Sequence, residues 1–235
     1  MPGADASFTW QQALAGFAVI AVVAFLVTWV LTDLLKMPRA PYIPMLLVVA
    51  LGLGAGYCVW SGTSVSELLT SSVGWALAAG LVAAAVVFPL VQRLPAHPHA
   101  SGGKLAGLML WEGIVYGIAE GVLLSTLPVL AVWQATVDLG WTDGAWEKIG
   151  SGTLAIAGSV LVILVHHLGY AQFRTATRRP ALFGAMVGCG IHAIAFLLTG
   201  NALAPIVAHS VLHGQLLVRG EELPPAREMR PAFQT

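Results

Sequence analysis

Residues Ala13–Leu31 read ALAGFAVIAVVAFLVTWVL and carry no charge. A hydrophobic run near 20 residues long matches the thickness of a bilayer core and is read as a membrane-spanning helix. It is also longer than the roughly 7–15 residues of a signal-peptide core, and residues 1–11 hold Asp5 but no Lys or Arg. The expectation is therefore a first span that stays in the protein.

The rest of the chain repeats this pattern. Six further stretches qualify as spans, so seven are expected: 12–34, 41–61, 72–94, 105–133, 151–172, 181–199 and 201–218. The last two are joined by the tight turn Thr199-Gly200-Asn201, and the last is the most polar, with His209, His213 and Gln215. Pro128 is expected to kink or end the regular part of the fourth. Composition agrees: 57% of residues are hydrophobic and only 9% charged. A soluble domain carries about 25% charged residues. The expected fold class is an all-α polytopic helical bundle. Residues 1–104 form an N-terminal scaffold of three spans, 105–218 a four-helix core, and 219–235 a disordered tail, rich in proline and mixed charge.

Basic residues orient the bundle. Lys36, Arg39, Arg93, Lys104, Arg174, Arg178, Arg179, Arg219, Arg227 and Arg230 all fall on one side of a seven-span alternation, leaving only Lys148 on the other. The positive-inside rule then predicts an outside N-terminus and a cytoplasmic C-terminus, with the cell membrane as the location. The tryptophans fall near span ends, as an interfacial aromatic belt requires. Small residues recur four apart at Gly113/Gly117/Gly121, which lets a neighbouring helix approach closely. No basic block, Walker loop or dinucleotide fingerprint is present, so neither nucleic acid nor a nucleotide is an expected partner; the lipid bilayer is. Cys58 and Cys189 lie in separate apolar runs and form no disulfide framework.

Ionisable groups within spans are costly and mark functional positions. Spans one to three carry them only at their ends, whereas the last four carry Glu112, Glu120, His166, His167, His192, His209 and His213. Counted from the span ends at 1.5 Å per residue, Glu112 lies about 10 Å deep, the His166/His167 pair about 8–9 Å, His209 about 13 Å and His213 about 7–8 Å. These residues share a cytoplasm-facing layer, with Glu120 and His192 nearer the middle. His209 and His213 are one helical turn apart on one face, and Glu112, Tyr116 and Glu120 make a stripe beside the glycines. His166 and His167 point about 100° apart, so one of them is expected to reach the layer. A carboxylate and imidazoles together suit a general base with water-orienting partners, or ligation of a divalent metal such as zinc. Two imidazoles among His166, His192 and His209 would also suit haem.

The order of these motifs resembles the CAAX-protease and bacteriocin-processing (CPBP, or Abi) intramembrane protease family. Thr199–His209, TGNALAPIVAH, is similar to the helix that carries that family's H-x-x-x-N motif. Val162–His167, VILVHH, stands at the place of F-x-x-x-H, and Trp111–Gly117, WEGIVYG, at the place of E-E-x-x-x-R. Gly113, Gly117 and His213 stand where the family has a second glutamate, an arginine and an asparagine. The resemblance implies an endopeptidase, metal-dependent or not, that acts on a peptide or membrane-protein substrate near the cytoplasmic face. It implies catalytic or metal-ligating roles for Glu112, His166, His209 and His213, supported by Tyr116, Glu120, His167 and His192. The alternative expectation is a non-catalytic protein of the same fold that binds a metal or a partner.

Overall fold

The computed structural model describes residues 1, 3–4 and 7–220. The expected tail from 221 to 235 lies outside the described residues. Every regular element among them is helical. In chain order these are α1 (Trp10–Leu34), α2 (Arg39–Ser61), the short α3 (Val65–Thr70), α4 (Val73–Gln92), α5 (Gly102–Asp138), α6 (Ala145–Gly169), α7 (Arg179–Thr199) and α8 (Leu203–Val218). Two 3₁₀ turns lead from α6 to α7. Six helices are long and apolar enough to cross a membrane, and α8 is a shorter apolar helix. The protein is a helical membrane-protein bundle.

The 16 residues of α8 span about 24 Å, a little less than a bilayer core. It nevertheless runs the length of α4. At one end the Ala202 amide donates to the Leu68 carbonyl and the Asn201 amide group donates to that of Ser71. At the other, the Arg219 guanidinium meets the carbonyls of Gln92 and Leu94. The remaining loops pair by side as alternating crossings require. Asp33, at the end of α1, pairs with Arg174 beyond α6, and the Trp10 amide donates to Asp138 at the end of α5.

The organising element is α5. Of its most apolar 18-residue stretch 83% is buried, against 28–39% for the other five long helices, whose outer faces carry residues such as Val22, Val48 and Val82. The first half of α5 packs on α2 and α8, and the second on α1 and α6. The glycine stripe makes the α5–α8 contact possible. A Cβ on Gly117 would stand 2.6 Å from Ser210 Cα, and one on Gly121 would stand 2.7 Å from Ile206 Cα. Both separations are below any real carbon contact, so these helices touch backbone to backbone.

Helix α5 contains two π-helical stretches, Met109–Val115 and Gly121–Thr126, and continues through Pro128. Proline has no N–H to donate to the carbonyl four residues back, at Leu124. The hydroxyl of Ser159 on α6 donates to that carbonyl instead, at 2.7 Å, and Thr126 Oγ1 donates to the Gly121 carbonyl at 2.9 Å. The expected break becomes a widened turn, because side chains satisfy the backbone groups that the proline frees.

Two outcomes follow. Gly117→Val forces α5 and α8 apart and should lower stability by about 1–3 kcal/mol. Gly56→Ala, at a site with open space around it, should stay within about 0.5 kcal/mol of the parent. Thermal unfolding of both variants in detergent reads the difference; equal stabilities would mean that the two helices do not meet backbone to backbone.

Candidate active site

Glu120 sits at the end of a short α-helical segment of α5, immediately before the second π stretch. π turns often mark functional positions. Its carboxylate is the point on which three imidazoles converge. His213 Nε2 donates to Oε2 at 2.8 Å, His209 Nδ1 lies 3.6 Å from Oε2, and His166 Nε2 lies 3.7 Å from Oε1. His209 and His213 come from one face of α8, and His166 comes from α6. All four residues are buried, none exposing more than 5% of its surface. The cluster is therefore enclosed in this conformation.

Each imidazole is fixed by a different contact. His166 Nδ1 is 3.1 Å from the Ala24 carbonyl on α1 and donates to it, which leaves Nε2 facing Glu120. The Tyr170 hydroxyl, 3.4 Å away, can donate to that same nitrogen. Tyr170 is in turn bonded to the hydroxyls of Tyr42, at 2.7 Å, and Tyr116, at 3.1 Å. A chain of three phenols therefore adjoins the imidazole. Tyr116 also lies against the His213 ring, with centroids 4.8 Å apart. On its far side His209 presents Nε2 to Ser125 Oγ at 3.2 Å and to Cys189 Sγ at 3.7 Å.

The other expected residues fall elsewhere. His167 bonds through Nδ1 to the Ile163 carbonyl of its own helix and packs on Phe173, so His166 is the inward member of the pair. His192 is buried against His209, with ring centroids 4.3 Å apart, and neither of its ring nitrogens has a hydrogen-bond partner. Glu112 does not meet the imidazoles: its Oε2 is 2.9 Å from Nε of the buried Arg39, whose guanidinium lies 5.0 Å from the centre of the Tyr116 ring.

The reason for this exchange of glutamates is geometric. Eight residues, the first few of them π-helical and the rest α-helical, set Glu112 and Glu120 about two helical turns, or roughly 10 Å, apart along the axis. The two carboxylates cannot serve one layer. Depth counted from Leu105 also misleads, because Gly102–Leu108 buries no residue and projects beyond the packed bundle. Glu120, not Glu112, shares a level with the histidines.

Sequence reasoning missed Arg39, Tyr42, Tyr170, Ser125 and Cys189. Cys189 and His192 had a readable signal, the three-residue spacing that puts both on one helix face. Of the others, Arg39 and Tyr42 lie on α2, Ser125 on α5 and Tyr170 just past the end of α6.

A buried carboxylate needs a compensating positive charge. A proton shared with His213 would supply it, as would a metal ion. The oxygen of Glu120 and the nitrogens of His209 and His213 lie within 4.8 Å of one another. That donor set, one carboxylate and two imidazoles, fits a zinc-like ion. It does not include the Glu112 of the expected ligand set.

The pair of Glu112 with Arg39 makes its own prediction. Arg39→Ala leaves a largely buried carboxylate without its partner and should cost about 3 kcal/mol. The double variant Arg39→Met/Glu112→Gln should regain much of that loss. Chemical denaturation of the three proteins measures the coupling, and additive losses would mean that the pair carries none.

Comparison with known proteins returns no match to a family model, a curated protein or a solved structure.

Proposed function

We propose that this chain is an intramembrane hydrolase of the CPBP type, resident in the cell membrane, that cleaves a peptide bond with Glu120 as its base. The observation that supports this reading is the convergence of His166, His209 and His213, from two helices, on the single buried carboxylate of Glu120. In this reading the base implied for Glu112 by the family resemblance falls on Glu120, eight residues along the same helix.

The chemistry runs through groups already placed. Water attacks the scissile carbonyl carbon while its proton passes to Glu120. His166 and His209, each within 3.7 Å of the carboxylate, orient that water, and a protonated imidazole stabilises the oxyanion. Collapse of the intermediate breaks the C–N bond, and Glu120 returns the proton to the leaving amine. His213, bonded to Oε2, holds the carboxylate in place. Because the cluster is enclosed, substrate enters only when helices part. If a divalent ion is bound, Glu120, His209 and His213 hold it, and it supplies a Lewis acid and an acidified water.

The burial of every member of the cluster favours a second reading, a non-catalytic protein that holds a metal. Assay and metal analysis on one purified sample separate the two. For the hydrolase, Glu120→Gln and His209→Ala should reduce cleavage of a membrane-peptide library by at least about 10²-fold, the lower end of acid–base contributions. Glu112→Gln should retain most turnover. Loss of turnover in Glu112→Gln but not in Glu120→Gln would overturn the assignment of the base. Stoichiometric zinc without turnover in the parent protein would establish the second reading.

A further inference from the structure

His209 has two nitrogens, and only one faces Glu120. Its Nε2 faces a separate group formed by Cys189 and His192 on α7, neither of which takes part in the proposed hydrolysis. One ligand atom from each of Cys189, His192 and His209 lies within 4.8 Å of the others. All three residues are buried, with exposures of 4%, 0% and 1%. His192 is the telling member. Both of its ring nitrogens are enclosed and without a hydrogen-bond partner, which for a neutral imidazole leaves a donor and an acceptor unmet. Such a group is costly unless a ligand satisfies it.

We propose that Cys189, His192 and His209 form a three-coordinate site for a soft monovalent cation of the copper(I) class.

The donor set selects the cation. A thiolate with two imidazoles favours soft ions, and a thiolate offsets the single charge of copper(I), so the buried complex is neutral. A zinc ion would keep a net positive charge at this buried site. On binding, the Cys189 S–H proton leaves to solvent and the S–Cu bond replaces it; the metal undergoes no redox change. The Ser125 hydroxyl, 3.2 Å from His209 Nε2, gives up that contact. Glu120 then stands behind the ligand ring of His209. Its carboxylate lies 3.6 Å from His209 Nδ1, on the opposite side of the ring from the Nε2 that faces Cys189. A carboxylate–histidine–metal arrangement of this kind orients a ligand ring and raises its basicity.

The test titrates copper(I) into the full-length protein in detergent under anaerobic, reducing conditions, against a chromogenic copper(I) chelator. Bound metal is counted by elemental analysis, and X-ray absorption identifies its ligands. The parent and Cys58→Ser, which alters the other buried cysteine, should bind one equivalent with a sulfur ligand. The near-isosteric Cys189→Ser should lose the sulfur signal, and Cys189→Ser and His192→Ala should each bind at least about tenfold more weakly. His213→Ala, which removes the imidazole that holds Glu120, should keep its copper, while Cys189→Ser keeps its turnover; the two readings therefore fail independently. Absence of retained copper in the parent, unchanged binding in Cys189→Ser, or a metal lost with His213 overturns the proposal.

Discussion

A carboxylate enclosed among apolar helices is the constraint around which this bundle is arranged. Glu120 lies deep in the most buried helix, where an unpaired charge would be prohibitively costly. Three imidazoles from α6 and α8 surround it, and each is oriented by something outside the cluster. His166 is held by a backbone carbonyl of α1, His213 lies against the Tyr116 ring, and His209 is bonded to Ser125. Four helices are thereby committed to the surroundings of one side chain. Packing and electrostatics select the same arrangement, and that agreement between levels favours a single native structure.

The backbone of α5 is shaped to allow this. Gly117 and Gly121 bring α8 close enough for His209 and His213 to reach the carboxylate from one turn of spacing. Directly after Glu120 the helix widens into a π stretch, then passes Pro128 with its freed carbonyl capped by Ser159. Lipid offers no hydrogen bonds to a distorted helix, so every such departure needs a partner inside the protein. One of those partners, Ser159, sits on α6, the same helix that delivers His166. Placement of His166 beside Glu120 and satisfaction of the freed carbonyl therefore share one helix–helix contact.

His209 joins two chemically different neighbourhoods. On one side are a carboxylate and imidazoles, hard and polar; on the other are a thiol and an unpartnered imidazole. Which nitrogen carries the proton decides which side has the available lone pair. The phenols of Tyr42, Tyr116 and Tyr170 extend the polar network toward the Arg39–Glu112 pair. Spans one and two therefore contribute more than a scaffold: Ala24, Arg39 and Tyr42 all face the network.

What the amino-acid sequence determined by itself is whatever depends on neighbours along the chain. Apolar runs of bilayer length located the helices, and the basic residues between them gave their alternation, because insertion into lipid is governed locally by hydrophobicity and charge. The glycine stripe announced a close helix contact, and the shared face of His209 and His213 was legible from their spacing. Only tertiary structure decided which glutamate meets those histidines, that His166 rather than His167 turns inward, and that Cys189 and His192 share the far side of His209. Those facts depend on how far each helix slides along its neighbours and how it is rotated about its own axis. Sliding and rotation are set by the contacts between helices, and no single stretch of sequence contains them.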